Sequence, residues 1–154
     1  MPAAPVFALP LGEVIKITLP GDPIGKGRPR ARIVTTKTKG QFISFYTPAE
    51  TVTYEQALAW AGKAAMKGRK PLLGALRVTV KAFMVPPESW SGIKRTKALN
   101  DEIRPSVKPD ADNILKILDA LNKIVWHDDA QIVDARIEKR YWISPSLNIQ
   151  VEEL

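Results

Sequence analysis

Cysteine is absent from this 154-residue chain, which excludes disulfide bonds, thiol catalysis and cysteine-ligated zinc. Long apolar runs are absent too, since no stretch approaches the roughly 18 residues of a membrane-spanning helix. The start of the chain carries three prolines and no basic segment, so a secretory signal is not expected there. We therefore expect a cytoplasmic protein without membrane contact. The length predicts one domain over residues 13–154, preceded by a flexible N-terminal segment over residues 1–12.

Acidic residues are missing from two long stretches, residues 23–49 and 56–87. Residues 1–108 hold 18 Lys and Arg against seven Asp and Glu, whereas residues 109–154 hold five against nine. The basic residues of the first stretch are Lys26, Arg28, Arg30, Arg32, Lys37 and Lys39. A basic surface of this kind attracts polyanions, nucleic acid above all. A charged surface that serves only solubility is the alternative.

Hydrophobic periodicity predicts an α/β (α+β) fold, with two main helices packed on a mixed β-sheet. A hairpin turn is expected at Lys39-Gly40, and the helix that follows should be capped by Thr47 and stop near Gly68. The two C-terminal strands are expected to pair as an antiparallel hairpin around Pro145. The predicted strands are 13–19, 75–85, 130–143 and 147–154, and the predicted helices are 47–68, about 91–100 and 112–124.

The second main helix carries an unusual set of acids. Asp112 can cap it, and Ile114, Leu118, Leu121 and Val125 form its apolar stripe. Asp112, Lys116 and Asp119 recur on the opposite face, because a helix advances 3.6 residues per turn. Lys116 is therefore either an ion-pair partner of Asp112 or a catalytic cation.

Asp110 lies just before this helix, and Asp128 and Asp129 lie just after it, where the chain returns as a strand. If that strand lies beside the segment that carries Asp110, the carboxylates converge. Converging carboxylates repel one another unless a cation lies between them, and hard oxygen ligands favour Mg²⁺, with Mn²⁺ as a substitute. The alternative is that these acids serve only as helix caps and turn residues.

Two other sites are excluded by spacing. An EF-hand loop needs an oxygen ligand, glycine and glutamate where this chain has Ile114, Leu115 and Leu121. The sequence "GKGRPR" lacks the spacer and the Ser or Thr of a Walker loop, so no nucleotide cofactor is expected.

These motifs together resemble the RusA family of Holliday junction resolvases, small endonucleases common in prophages. The resemblance rests on "GDPIGKGRPR", "PPESWSGIKR", "KPDADNILKILDALN" and "WHDDAQIVDARIEKRY" and covers nearly the whole chain. It implies a homodimer that cuts four-way DNA junctions by paired symmetric nicks with Mg²⁺. The stretch from Asp112 to Asp129 is slightly shorter than the family pattern, and a shorter helix-to-strand connection would absorb the difference.

The resemblance also implies roles for individual residues. Asp110, Asp112 and Asp129, with Asp128 beside them, would bind metal, and Lys116 would be the essential basic residue. The predicted DNA-binding residues are Lys26, Arg28, Arg30, Arg32, Lys108 and Asn113. The competing hypothesis is a non-catalytic, architectural DNA-binding protein whose acids are structural. A metal-dependent nuclease of RNA or flaps would share the same chemistry.

Overall fold

The computed structural model describes residues 14–154. Its first α-helix is much longer than its last α-helix. The strands are β1 (Ile15–Pro20), β2 (Arg30–Thr36), β3 (Gly40–Tyr46), β4 (Leu76–Met84), β5 (Ile132–Tyr141) and β6 (Ser146–Glu153). The α-helices are α1 (Ala49–Met66), α2 (Gly92–Leu99) and α3 (Ala111–Lys116), with short 3-10 helices at Ile117–Leu121 and Asp129–Gln131. The predicted segment 1–12 lies outside the described residues.

Four strands form the main sheet, in the order β1-β6-β4-β5. β6 pairs antiparallel with both β1 and β4, while β4 and β5 are parallel, so the sheet is mixed as predicted. The predicted C-terminal hairpin is wrong, because β5 and β6 lie on opposite sides of β4. The alternating sequence pattern identified β5 and β6 as strands, but it did not identify which strands they pair with. β4 lies between the two strands, so that its Val78 pairs with Val151 of β6 on one side and with Ala135 of β5 on the other.

Helix α1 covers one face of the sheet through Tyr54 and Leu58, which are buried. Its N-cap is Pro48 rather than the predicted Thr47, and no side chain caps the helix. The helix ends at Met66, and its C-cap, Lys67, is in the left-handed conformation one residue before the predicted stop. A Cβ on Gly62 would lie 2.6 Å from Leu121, so this glycine lets α1 approach the 3-10 helix closely.

The second main predicted helix, over residues 112–124, is shorter than expected. It is α-helical only to Lys116 and continues as a 3-10 helix to Leu121, instead of running to residue 124. A 3-10 helix has three residues per turn, so the change alters where later side chains point. The predicted apolar stripe is nevertheless buried, because Ile114, Leu118, Leu121 and Val125 all belong to the core.

Strands β2 and β3 form a separate two-stranded sheet. The predicted hairpin is confirmed, and Gly40 takes the positive φ (67°) that its turn requires. Within residues 14–154, no helix is long and apolar enough to cross a membrane.

Candidate active site

Asp110, rather than the predicted Asp112, occupies the N-cap position of α3, in an extended conformation. Its carboxylate makes no capping hydrogen bond, although an N-cap aspartate commonly makes one. The positive end of the helix dipole lies here, and Asp112 follows in the first turn. The start of α3 therefore presents two carboxylates, one of them not engaged in capping the helix.

Lys139, on β5, holds the segment that leads into Asp110. Its Nζ atom donates hydrogen bonds to the carbonyl oxygens of Val107 and Pro109, the second at 3.0 Å. The segment before α3 thus contacts β5 seven residues after the strand starts at Ile132, whereas Asp128 and Asp129 precede that start. Sequence reasoning missed this residue, since one basic position in an alternating strand carries no signal of such a contact.

The loop after β1 packs directly against α3. The backbone N–H of Lys26 donates to the carbonyl of Asn113 at 2.8 Å, and a Cβ on Gly25 would lie 2.9 Å from that of Asn113. On the other side, the N–H of Gly27 donates to the hydroxyl of the buried Thr51, on α1. The glycines of this loop therefore have a packing function, because any side chain would collide with a helix.

A groove of about 670 Å³ runs between this loop and α3. Its lining includes Lys26, Arg28, Lys108, Asp110 and Asn113, so three predicted DNA-binding cations and one predicted metal ligand face the same space. A smaller adjoining cavity of about 270 Å³ is lined by Asp110, Asp112 and Lys116 as well as Arg28. The structure thus places acids and cations from distant parts of the sequence around one cleft.

Lys26 lines the groove and also forms ion pairs with two carboxylates. Its Nζ lies 2.9 Å from Asp119 Oδ2 and 3.5 Å from Glu55 Oε1. The hydrogen bond to Asp119, opposed by partial burial and assisted by the charge of Glu55, raises the pKa of Lys26. The charge of Lys26 is directed at two carboxylates, so its first effect is to join the loop to the acidic segment.

Lys116 forms the helical ion pair with Asp112 that the spacing predicts. Lys116 Nζ lies 3.6 Å from Asp112 Oδ2, and both side chains are mostly exposed. This pair is worth only a few tenths of a kcal/mol to stability. Both groups therefore remain accessible to a ligand in the cleft.

The turn that carries Asp128 and Asp129 brings Asp129 into contact with Asp119. Hydrogen bonding with Asp128, followed by partial burial and the contact with Asp119, raises the pKa of Asp129. The backbone N–H of Ala130, which donates to Asp128 at 2.8 Å, lowers the pKa of Asp128. The pKa values of these two neighbouring acids are therefore shifted in opposite directions.

Gln131 fixes this turn against the body of the protein. Its Oε1 accepts from the backbone N–H groups of His127 and Asp128, at 2.8 and 3.0 Å. Its Nε2 donates to the carbonyls of Leu72 and Gly74, at 2.9 and 3.0 Å. Sequence reasoning noted Gln131 only as part of a motif, although one side chain makes four hydrogen bonds here.

Among residues 14–154, no three His, Asp or Glu side chains are grouped so as to hold a metal ion. Asp110 and Asp112 at the cleft and Asp128 and Asp129 at the turn are all hard oxygen donors. Mg²⁺ in proteins commonly uses one or two carboxylates, several waters and substrate phosphate. The donor set therefore fits such an ion, with two carboxylates at the start of α3 and the remaining ligands from solvent and substrate.

The remaining predicted DNA-binding residues lie on the hairpin. Arg30 and Arg32 belong to β2 and are exposed, and the Arg32 guanidinium lies 5.2 Å from the centre of the Tyr46 ring. The predicted cations are thus divided between the cleft and the hairpin.

An α/β domain with carboxylates at the mouth of a basic cleft has the form of a nuclease. The family model for "Endodeoxyribonuclease RusA" matches residues 20–152, and the chain belongs to this family. It is also 30% identical, over 92% of its own length and 98% of the relative's, to the "Uncharacterized protein YqaN" of Bacillus subtilis (strain 168). The resemblance noted from the motifs is confirmed. RusA proteins are endodeoxyribonucleases that bind branched DNA and generally depend on a divalent metal.

Proposed function

We propose that this protein resolves Holliday junctions and related branched DNA by paired symmetric nicks, in a Mg²⁺-dependent hydrolysis of phosphodiesters. The observation that carries the proposal is the cleft between the loop after β1 and α3. Arg28, Lys108 and Asp110 line it together, although they come from segments about 80 residues apart. A protein that only bound DNA would gain nothing from an acid beside its phosphate contacts.

Asp110 and Asp112, with Asp129 and Asp128 at the neighbouring turn, are the residues that would hold the ion. The chemistry that Mg²⁺ supplies is activation of water near neutral pH and neutralisation of charge that develops on the scissile phosphate. Asp110 is suited to this role because its carboxylate makes no capping bond that a ligand would have to break.

The basic residues of the cleft hold the substrate. Lys108 immediately precedes the Pro109-Asp110 step and lines the groove, so it can bind the phosphate next to the scissile one. Arg28 lines both cavities and can bind that strand from the other side. Lys116, exposed and paired only loosely with Asp112, would stabilise negative charge at the reacting phosphate.

Two symmetric nicks require two active sites with two-fold symmetry, which a homodimer provides. Arg30 and Arg32 extend the basic surface beyond the cleft along β2, where they can contact the arms of a junction.

The test is cleavage of a synthetic four-way junction by the full chain, with Mg²⁺, Mn²⁺ or EDTA, beside linear duplex, flap and RNA controls. We expect paired nicks that need the metal and that Asp110→Asn abolishes while junction binding is retained. Glu88→Gln is the matched control, because Glu88 is an exposed acid between β4 and α2, outside the cleft.

If Asp110→Asn cut as fast as the wild type, the role of Asp110 would be refuted. Binding without cutting in either metal would leave the architectural DNA-binding protein as the function. Faster cutting of flaps or RNA than of junctions would instead change the substrate class.

A further inference from the structure

Lys139 is a charged residue on the core side of the main sheet. It pairs in register with Ala82 of β4, which is fully buried, and residues paired across two strands point to the same side. Its neighbours on that side of β5 are Ile137, which packs against the core, and the buried Tyr141. A charge in such a row costs free energy unless it is paired or hydrogen-bonded, so the partners of Lys139 indicate its function.

The ammonium of Lys139 reaches the irregular segment before α3. It donates hydrogen bonds to the carbonyl oxygens of Val107 and Pro109, which lie on either side of Lys108. Residues 103–109 form no helix or strand, and none of the backbone-to-backbone hydrogen bonds found within residues 14–154 involves them. The Lys139 side chain therefore supplies the polar anchoring that the backbone of this segment does not.

The bond to Pro109 bears directly on Asp110. A peptide unit is planar, so the plane that contains the Pro109 carbonyl also contains the backbone nitrogen and Cα of Asp110. The Asp110 carboxylate makes no capping hydrogen bond, so its position follows from its backbone rather than from such a bond of its own. A bond that fixes the Pro109 carbonyl therefore also limits where this carboxylate lies in the cleft.

We propose that Lys139 is a positioning residue for the reaction. It holds the backbone of Asp110 so that the carboxylate stays where a divalent ion can bind it, and it need not contact the ion or the DNA itself. The inference rests on the proposed function in one respect, the role of Asp110 as a metal ligand. Groups that hold a metal ligand in place commonly change metal affinity by about 10- to 100-fold when they are removed.

Two simpler roles for Lys139 make different predictions. If the lysine acted only through its charge, its removal would strengthen cation binding at Asp110, because like charges repel. If it were only structural, its removal would lower stability and leave metal affinity unchanged. A positioning role predicts weaker metal binding by a protein that remains folded, so the direction of the change separates it from both alternatives.

Mn²⁺ titration of the full chain without DNA, followed by electron paramagnetic resonance, tests the inference. Lys139→Met keeps an unbranched side chain but removes the charge and the hydrogen-bond donors, and it should raise the Mn²⁺ dissociation constant roughly tenfold. Lys139→Arg should raise it less, because a guanidinium retains the charge and can donate to two acceptors. Lys139→Gln, which is neutral and shorter, should resemble Lys139→Met and replaces it if that variant does not fold.

Lys16→Met is the matched control, since Lys16 is an exposed lysine on β1, at the opposite edge of the main sheet. The substitution changes the net charge by the same amount and should leave the dissociation constant unchanged. Thermal unfolding of the metal-free proteins should show that the Lys139 variants are folded. Unchanged or tighter Mn²⁺ binding by a folded Lys139→Met or Lys139→Gln protein would overturn the proposal, as would equal weakening by Lys16→Met.

Cleavage of the four-way junction gives a second measurement. Excess Mg²⁺ should restore part of the rate lost in Lys139→Met but none of the rate lost in Asp110→Asn, because only the second variant lacks the ligand itself. A rate defect in Lys139→Met that does not depend on the Mg²⁺ concentration would refute the positioning of a metal ligand.

The two proposals fail in different ways. A wild type that binds Mn²⁺ and cuts no branched DNA would refute only the proposed function. Junction cleavage by the wild type, together with unaltered Mn²⁺ binding by Lys139→Met, would refute only the role of Lys139. A wild type that binds no Mn²⁺, even with junction DNA present, would overturn both.

Discussion

Lys26 Nζ lies 2.9 Å from Asp119 Oδ2, a contact that joins two segments 93 residues apart. Through this pair the basic loop after β1 is held beside the acids that follow α3. The contact joins the more basic part of the chain, residues 1–108, to the more acidic part, residues 109–154, beside the cleft that Lys26 lines.

The Lys26–Asp119 pair should contribute modestly to stability. Both side chains are about a third or more exposed, and such pairs are worth no more than about 1 kcal/mol. We expect a double-mutant cycle of Lys26→Met and Asp119→Asn, measured by urea unfolding, to give a coupling energy of about 0.5–1 kcal/mol that falls with added salt. A coupling energy of zero at low salt would show that the pair does not hold the loop.

Gly25→Ala should displace the loop from α3. The new Cβ would lie 2.9 Å from Asn113 Cβ and 3.1 Å from Pro109 Cβ, and neither atom can move without its backbone. We expect a loss of about 1–3 kcal/mol in the free energy of unfolding, as for other overpacked sites, and slower junction cleavage. Gly92→Ala is the control, because its Cβ meets nothing within 4 Å at the start of α2. Equal stabilities of the two variants would contradict the close approach.

Gln131→Leu should loosen the turn that carries Asp128 and Asp129. The substitution removes four hydrogen bonds and leaves two partly buried carbonyls, those of Leu72 and Gly74, without this donor. We expect a loss of about 1–3 kcal/mol by thermal or urea unfolding. Gln150→Leu, at an exposed position of β6, should cost far less. Comparable losses in both variants would mean that Gln131 is not a clamp.

Tyr54 should make stability fall at alkaline pH. Burial raises the pKa of its phenol to about 12, above the ordinary value of about 10. Between these values the folded protein retains the proton that the unfolded chain loses, so this contribution is complete below about pH 10 and is lost as the pH rises towards 12. Tyr54→Phe should remove this component. Unfolding free energies of both proteins from about pH 9 to 11.5 test it, and parallel profiles would refute it.

Much of the fold followed from local patterns. The hairpin turn at Gly40, the buried stripe through Ile114 and Leu118 and the element order all depend on residues close in sequence, and all are confirmed. The family resemblance rested on motifs of the same local kind. The predicted pairing of the last two strands failed because alternation identifies a strand's faces and not its neighbours.

The candidate site shows the same difference between features that depend on residues close in sequence and features that depend on distant residues. By itself the sequence determined that Asp110 and Asp112 stand at a helix start and that Lys116 lies one turn from Asp112, because helix geometry relates positions a few residues apart. Only the tertiary structure decided that Lys26 neutralises Asp119, that Lys139 holds the carbonyl of Pro109 and that Gln131 reaches Leu72. Each of these contacts crosses at least 30 residues of chain, and such contacts depend on how the sheet and helices pack, which no local pattern encodes.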